Sequence, residues 1–494
     1  MKINIYRSAI LSLLCIVYSS CKKDFLNIVP EGRQVAASTE DYRLISVNPG
    51  QSFYNFAGGW QGQVLMGDDV AAESSMFNQA QLSTQAAFRW DDQIFQSGDK
   101  DWTTSLWLTN LYELNKIINE VQQSKGGTLA LKNEVQAMAQ ANRAWIYFQL
   151  INLYGKPYTN GTAATDPGFP IILTADITVK DFKRNSVQEV YDFIIKDFNT
   201  AIPNLPVNPA NGTLFSKSAA EGLLGKVYLY MGKYPEALSA FNDAFTGNAA
   251  RAQPAVLYDY VKEFGADGKF MPINYDGPNN SPGNNLYDFT EALVSKRFYN
   301  GPYGGNGFGN DPFVLDPKAR QLYKDSDLRL MFFAPEFPWS TPNPSGRLRK
   351  YGVTYSAFGL LISELYLLRS EVKARLNDLP GAVTDLEMLR KNRMPLTDVA
   401  VPSTVVNDRT ALIRFIFEER VREFAMEGYR WFDMRRQSVD PIFSGQSHSH
   451  TLYNFNEATG QDAVAETYVL RPQRLTLKLP LSLTTLNPDM VNNP

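Results

Sequence analysis

Residues 415–436, FIFEERVREFAMEGYRWFDMRR, hold four glutamates, one aspartate and five arginines among large apolar side chains. Charge at that density could serve acid–base catalysis, or it could brace a helix against its neighbours. Helical spacing puts Phe417, Val421 and Phe424 on one stripe and Glu419, Glu423 and Glu427 on another. Arg422 stands three residues from Glu419, and Arg430 three from Glu427, within ion-pair reach on a helix. Gly428 then lets Tyr429, Trp431 and Phe432 dock as an aromatic turn. A brace accounts for every residue type here, whereas a catalytic site accounts only for the acids.

Other chemistry is sparse. The two histidines, His448 and His450, sit in SGQSHSHTLY. Two imidazoles one residue apart could grip a metal, but no cysteine or further histidine supports them. The reading is a solvated loop and no metal site. A Ser-His-Asp device would need these two residues, and the sequence has no Gly-x-Ser-x-Gly elbow. Gly305, Gly307 and Gly309 superficially resemble a phosphate-cradling run. Asn, Asp and Pro follow them where a helix start is needed, and no Gly-Lys-Ser/Thr occurs. Paired carboxylates are the remaining option, because glycoside cleavage needs only two acids at a fixed separation. The adjacent pairs are Asp68 with Asp69, Asp91 with Asp92, and Glu418 with Glu419. Neighbours on a strand or helix point apart, so neither an enzyme nor a cofactor is expected.

The chain must position this chemistry within 494 residues, of which 44% are hydrophobic and 20% charged. That balance supports a folded body larger than a single small core. A formal net charge of −3 supplies no basic excess for nucleic acid or an anionic membrane surface. Residues 1–20 read as an export signal, with Lys2 and Arg7 ahead of an apolar run and small residues before Cys21. Cys21 is the expected site of lipidation. Cys15 is the only other cysteine, so no internal disulfide is expected once the signal is removed.

Periodicity places helices from Asp101 to the Gly126–Gly127 stop, from Leu129 to Tyr154, and from Val187 to Ala201. Trp107 lies on the apolar stripe of the first, and it reads as core with Trp145 and Trp431. Residues 218–251 carry the tetratricopeptide spacing at Leu224, Gly225, Tyr228, Ala237, Phe241 and Ala244. Small residues there let two helices approach while aromatics fill the gap. One such pair cannot bury its own faces, so neighbouring helices must stack on it. Residues 356–392 form a weaker copy, with Ala382 and Leu386 in register. Residues 251–350 hold 11 of the 28 prolines, which rules out long helices and points to ordered binding loops.

Several pieces in order resemble one family. They are CKKDFL after the signal, NRAWIYFQLINLYGKPY at 142–158, SVQEVYDFIIKDFNTAIPNLP at 186–206, SKSAAEGLLGKVYLYMGKYPEAL, ERVREFAMEGYRWFDMRR and LPLSLTTLNPDMVNNP. Together they resemble the SusD/RagB family of Bacteroidetes outer-membrane nutrient-uptake lipoproteins. The resemblance implies a mostly α fold, with four tetratricopeptide-like helix pairs and a large irregular loop-rich lobe. It divides the chain into a signal peptide at 1–20, a helical region at 21–250, a ligand or partner loop region at 251–355 and a closing region at 356–494. It further implies a lipid-anchored subunit on the extracellular face that caps a SusC-like TonB-dependent barrel and captures a glycan or oligosaccharide without catalysis. Two alternatives stand beside it: a tetratricopeptide interaction scaffold, and an uptake lipoprotein that takes peptide.

Sugar rings stack their C–H faces on aromatic side chains, with polar residues satisfying the hydroxyls. Trp60 in FAGGWQGQ, Trp90 in FRWDDQ and Trp339 in EFPWSTPNP stand among polar loop residues. With Tyr303, they are the candidate ligand-binding residues.

Overall fold

The computed structural model describes residues 36–47, 56–58, 62–95, 101–275, 277–299, 312–336, 342–351 and 355–494. Nine helices carry the scaffold: α1 (Trp102–Glu120), α2 (Leu129–Tyr154), α3 (Val187–Ala201), α4 (Lys217–Tyr230), α5 (Tyr234–Ala249), α6 (Ile362–Arg375), α7 (Leu379–Arg390), α8 (Arg409–Phe424) and α9 (Tyr429–Gln437). Local signals start most of them. Asp101, Thr128, Ser216, Asp378 and Asp408 each accept a backbone N–H from the first turn that follows, and Ser186 and Glu189 form a capping box. Between α1 and α2, Gly126 and Gly127 take φ of +70° and +69°, a left-handed turn that glycine adopts without strain.

Each helix packs on the next: α1 on α2, α2 on α3, α3 on α4, α4 on α5, α5 on α6, α6 on α7, and α8 on both α6 and α7. The tetratricopeptide spacing has its expected physical meaning at Gly225. A Cβ there would sit 2.6 Å from the Phe241 ring, so the glycine is what lets α4 and α5 close up. Trp107, Trp145 and Trp431 are fully buried in the one large core. Ion pairs tie helix to helix: Arg143 of α2 with Asp197 of α3 at 2.7 Å, and Lys226 of α4 with Glu364 of α6 at 2.7 Å.

Between α5 and α6 the chain changes character. The described residues form strands of two or three residues and helical turns of four or five. Proline supplies neither the helical N–H nor a ladder donor, and it recurs along this region. A small aromatic core of its own, Tyr258, Tyr260 and Phe270 with Phe264, Leu328 and Phe332 packed around it, holds part of this lobe.

A four-stranded sheet lies beside the helices. Its strands are β1 (Val70–Glu73), β2 (Phe313–Leu315), β3 (Ser449–Asn456) and β4 (Gln461–Val469), in the order β4-β3-β1-β2. β3 runs antiparallel to β4 and parallel to β1, with Leu452 opposite Ala72. The solvated loop expected around His448 and His450 is therefore not what forms. His450 lies within β3 at 0% exposure and His448 is buried just before it. Long-range pairing with β1 draws the segment inward.

Candidate functional site

Residues 415–436 fold as a brace. Phe417, Val421 and Phe424 are buried along α8, as are Tyr429, Trp431 and Phe432 around α9. Glu419, at 0% exposure, accepts from Arg390 at 2.7 Å and Arg422 at 3.0 Å and pairs with Arg329 at 2.8 Å. Glu423 accepts from Arg393 at 2.9 Å and Arg329 at 3.1 Å. Arg393 reaches on to Glu291 at 2.7 Å, and Arg329 to Asp327 at 2.7 Å. The network thus ties α8 to α7 and to the loop lobe. Burial alone would raise the Glu419 carboxyl, but Arg422, Arg329 and Arg390 outweigh it and hold the group far below the usual carboxylate range. A carboxylate so locked to three guanidinium groups is a structural anion and a poor proton carrier.

Two details of the helical reading change. α8 ends at Phe424, and Met426 and Gly428 take left-handed φ of +62° and +89°, so Glu427 leaves the glutamate stripe. It pairs with Lys350 at 2.5 Å, while Arg430 turns to Asp68 at 2.5 Å. A buried Asp69 accepts the Met426 N–H at 2.7 Å and so pins this turn. Burial, reinforced by the neighbouring Asp68 charge, pushes the Asp69 carboxyl up to about 6.

The adjacent acids do not converge as catalytic pairs. Asp68 is held by Arg430 and His448, while Asp69 faces a backbone amide. Asp91 pairs with Arg89 at 2.7 Å, and Asp92 with Arg471 and Arg474. Glu419 points inward while Glu418 faces solvent.

Of the candidate ligand-binding residues, Trp60, Tyr303 and Trp339 lie outside the described residues, as does Cys21. Trp90 is described, and in this structure it is a packing residue. It is 3% exposed, its indole N–H donates to the Met66 carbonyl at 3.0 Å, and the His450 ring stacks on it at 3.8 Å. Both features a sugar would use, the ring face and the N–H, are thereby occupied. The other face of His450 stacks on Phe88 at 4.3 Å, and its two nitrogens meet the Phe88 and Gly67 carbonyls at 2.6 and 2.7 Å. Two acceptors favour a proton on each nitrogen, but burial opposes that charge and pushes the pKa down to about 4. The ring is therefore neutral above that pH and keeps one lone pair, but both nitrogens face backbone carbonyls, so that lone pair is aimed at protein and not at a space for a metal.

A cavity of about 110 Å³ opens where α8, the start of α6 and the loop lobe meet. Tyr260, Phe332, Tyr351 and Phe424 supply aromatic wall. The Lys350–Glu427 pair lies along it, and the Lys350 ammonium also donates to the Ala425 carbonyl at 2.8 Å. Ser363, in the first turn of α6, also lines it. This residue is 0% exposed, so its hydroxyl meets no water-sized space, and among the described residues it has no hydrogen-bond partner. Sequence reasoning named Phe424 and Glu427 only as parts of the brace and passed over the others, which come from separate stretches of chain. The one available signal was the aromatic punctuation of a proline-rich region. In that region Tyr275 and Tyr287 are 64% and 76% exposed, while Phe298 is buried.

Comparison with known proteins places the whole arrangement. A family model described as starch-binding associating with outer membrane matches residues 57–229, and a model of the SusD family matches 357–494. A SusD-like protein of Formosa agariphila is 24% identical over 340 residues, covering 60% of this chain and 65% of that one. A SusD-like protein of Bacteroides ovatus is 26% identical over 285 residues, covering 54% of this chain and 45% of that one. The matched stretches thus span less than two thirds of either relative. Among solved structures, a SusD superfamily protein of Bacteroides thetaiotaomicron superposes with a TM-score of 0.68 at 18% identity, covering 92% of this chain and all of that one. A putative sugar binding protein of Bacteroides vulgatus superposes with a TM-score of 0.66 at 19% identity, covering 94% and 99%. At that identity the likeness concerns the fold, and it extends over helices, sheet and lobe alike. Two family models that bracket the loop lobe, with one fold running through all three, show that this chain belongs to the SusD/RagB family.

Proposed function

We propose that the protein is a lipid-anchored subunit on the outer face of the outer membrane, where it captures a nutrient glycan and passes it to a SusC-like TonB-dependent barrel. The observation that carries this reading is the aromatic cavity at the junction of scaffold and lobe, in a chain whose residues 57–229 match a starch-binding, outer-membrane-associating family model. An aromatic hollow with a few convergent polar groups is the usual form of a small-ligand site. The adjacent acid pairs are engaged with cations and amides, which favours retention of the ligand over its cleavage. Among the described residues no helix is long and apolar enough to cross a membrane, so attachment in this reading rests on the acylated Cys21.

The test is a pull-down of the tagged full-length protein from native membranes in mild detergent, with partners identified by mass spectrometry. A TonB-dependent barrel in near-equal amount supports the reading. Recovery of soluble proteins alone overturns it and favours an interaction scaffold.

A further inference from the structure

We infer that β4 is a docking edge for an extended strand of a partner protein that bears lysine or arginine and joins the sheet by backbone pairing. This goes beyond the glycan-capture reading and does not depend on the cavity.

The two edges of the four-stranded sheet differ. At one edge β2 is three residues long and buried, and the Leu315 N–H donates to the Leu348 carbonyl of the lobe at 2.8 Å. At the other edge β4 is nine residues long, and among the described residues only β3 pairs with it. All of its residues but Tyr468 are exposed, Val464 at 59% and Val469 at 62%.

An edge strand turns a row of backbone N–H and C=O groups away from its neighbour, which makes it a template for another chain. Proteins that keep such an edge free shorten it or place lysine or proline along it. β4, QDAVAETYV, has neither residue, and Val464, Thr467, Tyr468 and Val469 suit a strand. Its one irregularity is a register shift at Ala465, which has no residue opposite it on β3. Runs of four residues remain on either side, Gln461 to Val464 and Glu466 to Val469.

Charge selects the occupant. From Ser449 to Leu470 the chain holds Glu457, Asp462 and Glu466 and no lysine or arginine. Two arginines stand nearby. Arg347 pairs with Asp462 and with Glu73, while Arg89 pairs with Asp91 and lies close enough to Glu466 to feel its charge. Each arginine is thus shared with a further acid, and the surface stays negative. A second copy would bring acids against acids, and like charges on neighbouring strands oppose pairing. A basic strand gains cross-strand ion pairs and is steered to the edge. Main-chain hydrogen bonds then supply the affinity, as in other strand additions.

The test is hydrogen exchange and titration calorimetry on the detergent-solubilised full-length protein. The probes are the peptide KVTVKVTVK, its acidic counterpart EVTVEVTVE, and the basic peptide N-methylated at alternate residues. The basic peptide is expected to bind and to slow exchange across Gln461–Val469. The acidic peptide should bind at least about tenfold more weakly. The N-methylated peptide keeps the charge but cannot complete the ladder, so its protection of β4 should vanish. Glu466→Lys should weaken the basic peptide about three- to tenfold, with the melting temperature tracked beside wild type. No binding by the basic peptide, or protection confined to other segments, overturns the inference. Equal binding by the acidic peptide, or wild-type affinity in Glu466→Lys, overturns the charge class. Undiminished protection by the N-methylated peptide overturns strand addition. Protection of β4 that grows with protein concentration in the absence of peptide assigns the edge to a second copy and overturns the partner named here. None of these outcomes bears on glycan capture, which the barrel pull-down decides separately.

Discussion

Two regions meet along α8 and treat polar groups in opposite ways. On the scaffold side, Glu419 and Glu423 are buried, and several arginines from α7, α8 and the lobe converge on them. The cavity side shares Arg329, Arg422 and Glu423 with that network, sets them beside aromatic rings and the Lys350–Glu427 pair, and includes a Ser363 hydroxyl with no hydrogen-bond partner among the described residues. Matched buried charge fixes one geometry, because removing either partner strands the other. An unmatched buried polar group, by contrast, costs stability and fixes nothing. The first region holds the second in shape.

Substitutions can break this contrast, and the largest effect belongs to the brace. Glu419→Gln keeps the shape but removes the anion shared by Arg390, Arg422 and Arg329. Urea unfolding is expected to show a loss of about 3 to 5 kcal/mol, the usual result of stranding buried charge. A loss below about 1 kcal/mol would mean that the network is not what holds α8.

Acid should dissolve the same kind of contact elsewhere in the scaffold. Burial alone would raise the carboxyl of Glu371, but Arg436 and Arg375 outweigh it and bring the pKa from 4.5 down to about 2. A depressed folded-state pKa means that the stabilisation is complete above pH 4.5 and is lost as pH falls toward 2. About 3 kcal/mol should disappear across that window, and Glu371→Gln should flatten that part of the pH–stability curve.

The helix contact at Gly225 is next in size. Gly225→Ala pushes a methyl to within 2.6 Å of the Phe241 ring, and thermal unfolding should register about 1 to 3 kcal/mol of overpacking. Asp408→Ala removes the side-chain acceptor for the Ala411 N–H at the start of α8 and should cost about 1 kcal/mol. Smallest of all is Ser363→Ala. Deleting a buried hydroxyl that has no partner should leave stability within about 1 kcal/mol of wild type.

The scaffold was largely legible because its signals are local. The caps at Asp101, Thr128 and Ser186 and the apolar spacing through Trp107 and Trp145 lie within a turn or two of what they determine. The Gly225–Phe241 spacing likewise declares a close helix contact within one pair. Glu427 was misplaced because a four-residue repeat continues past the helix end, and only the left-handed Met426 and the Asp69 contact reveal the break. The histidines were misjudged for a different reason, which also hides how deeply Trp90 packs. Their surroundings come from β1 and the Gly67 and Phe88 carbonyls, far away in sequence. The cavity shares that cause, since Tyr260, Tyr351, Ser363 and Glu427 become neighbours only when lobe and scaffold close together.

The most direct single measurement is hydrogen exchange across α8 and the lobe in Glu419→Gln. The account predicts faster exchange both in α8 and in the lobe segment around Arg329, because the lost anion is what Arg329, Arg390 and Arg422 share. Exchange raised in α8 alone, or in neither, would contradict the claim that the buried charges tie the lobe to the scaffold.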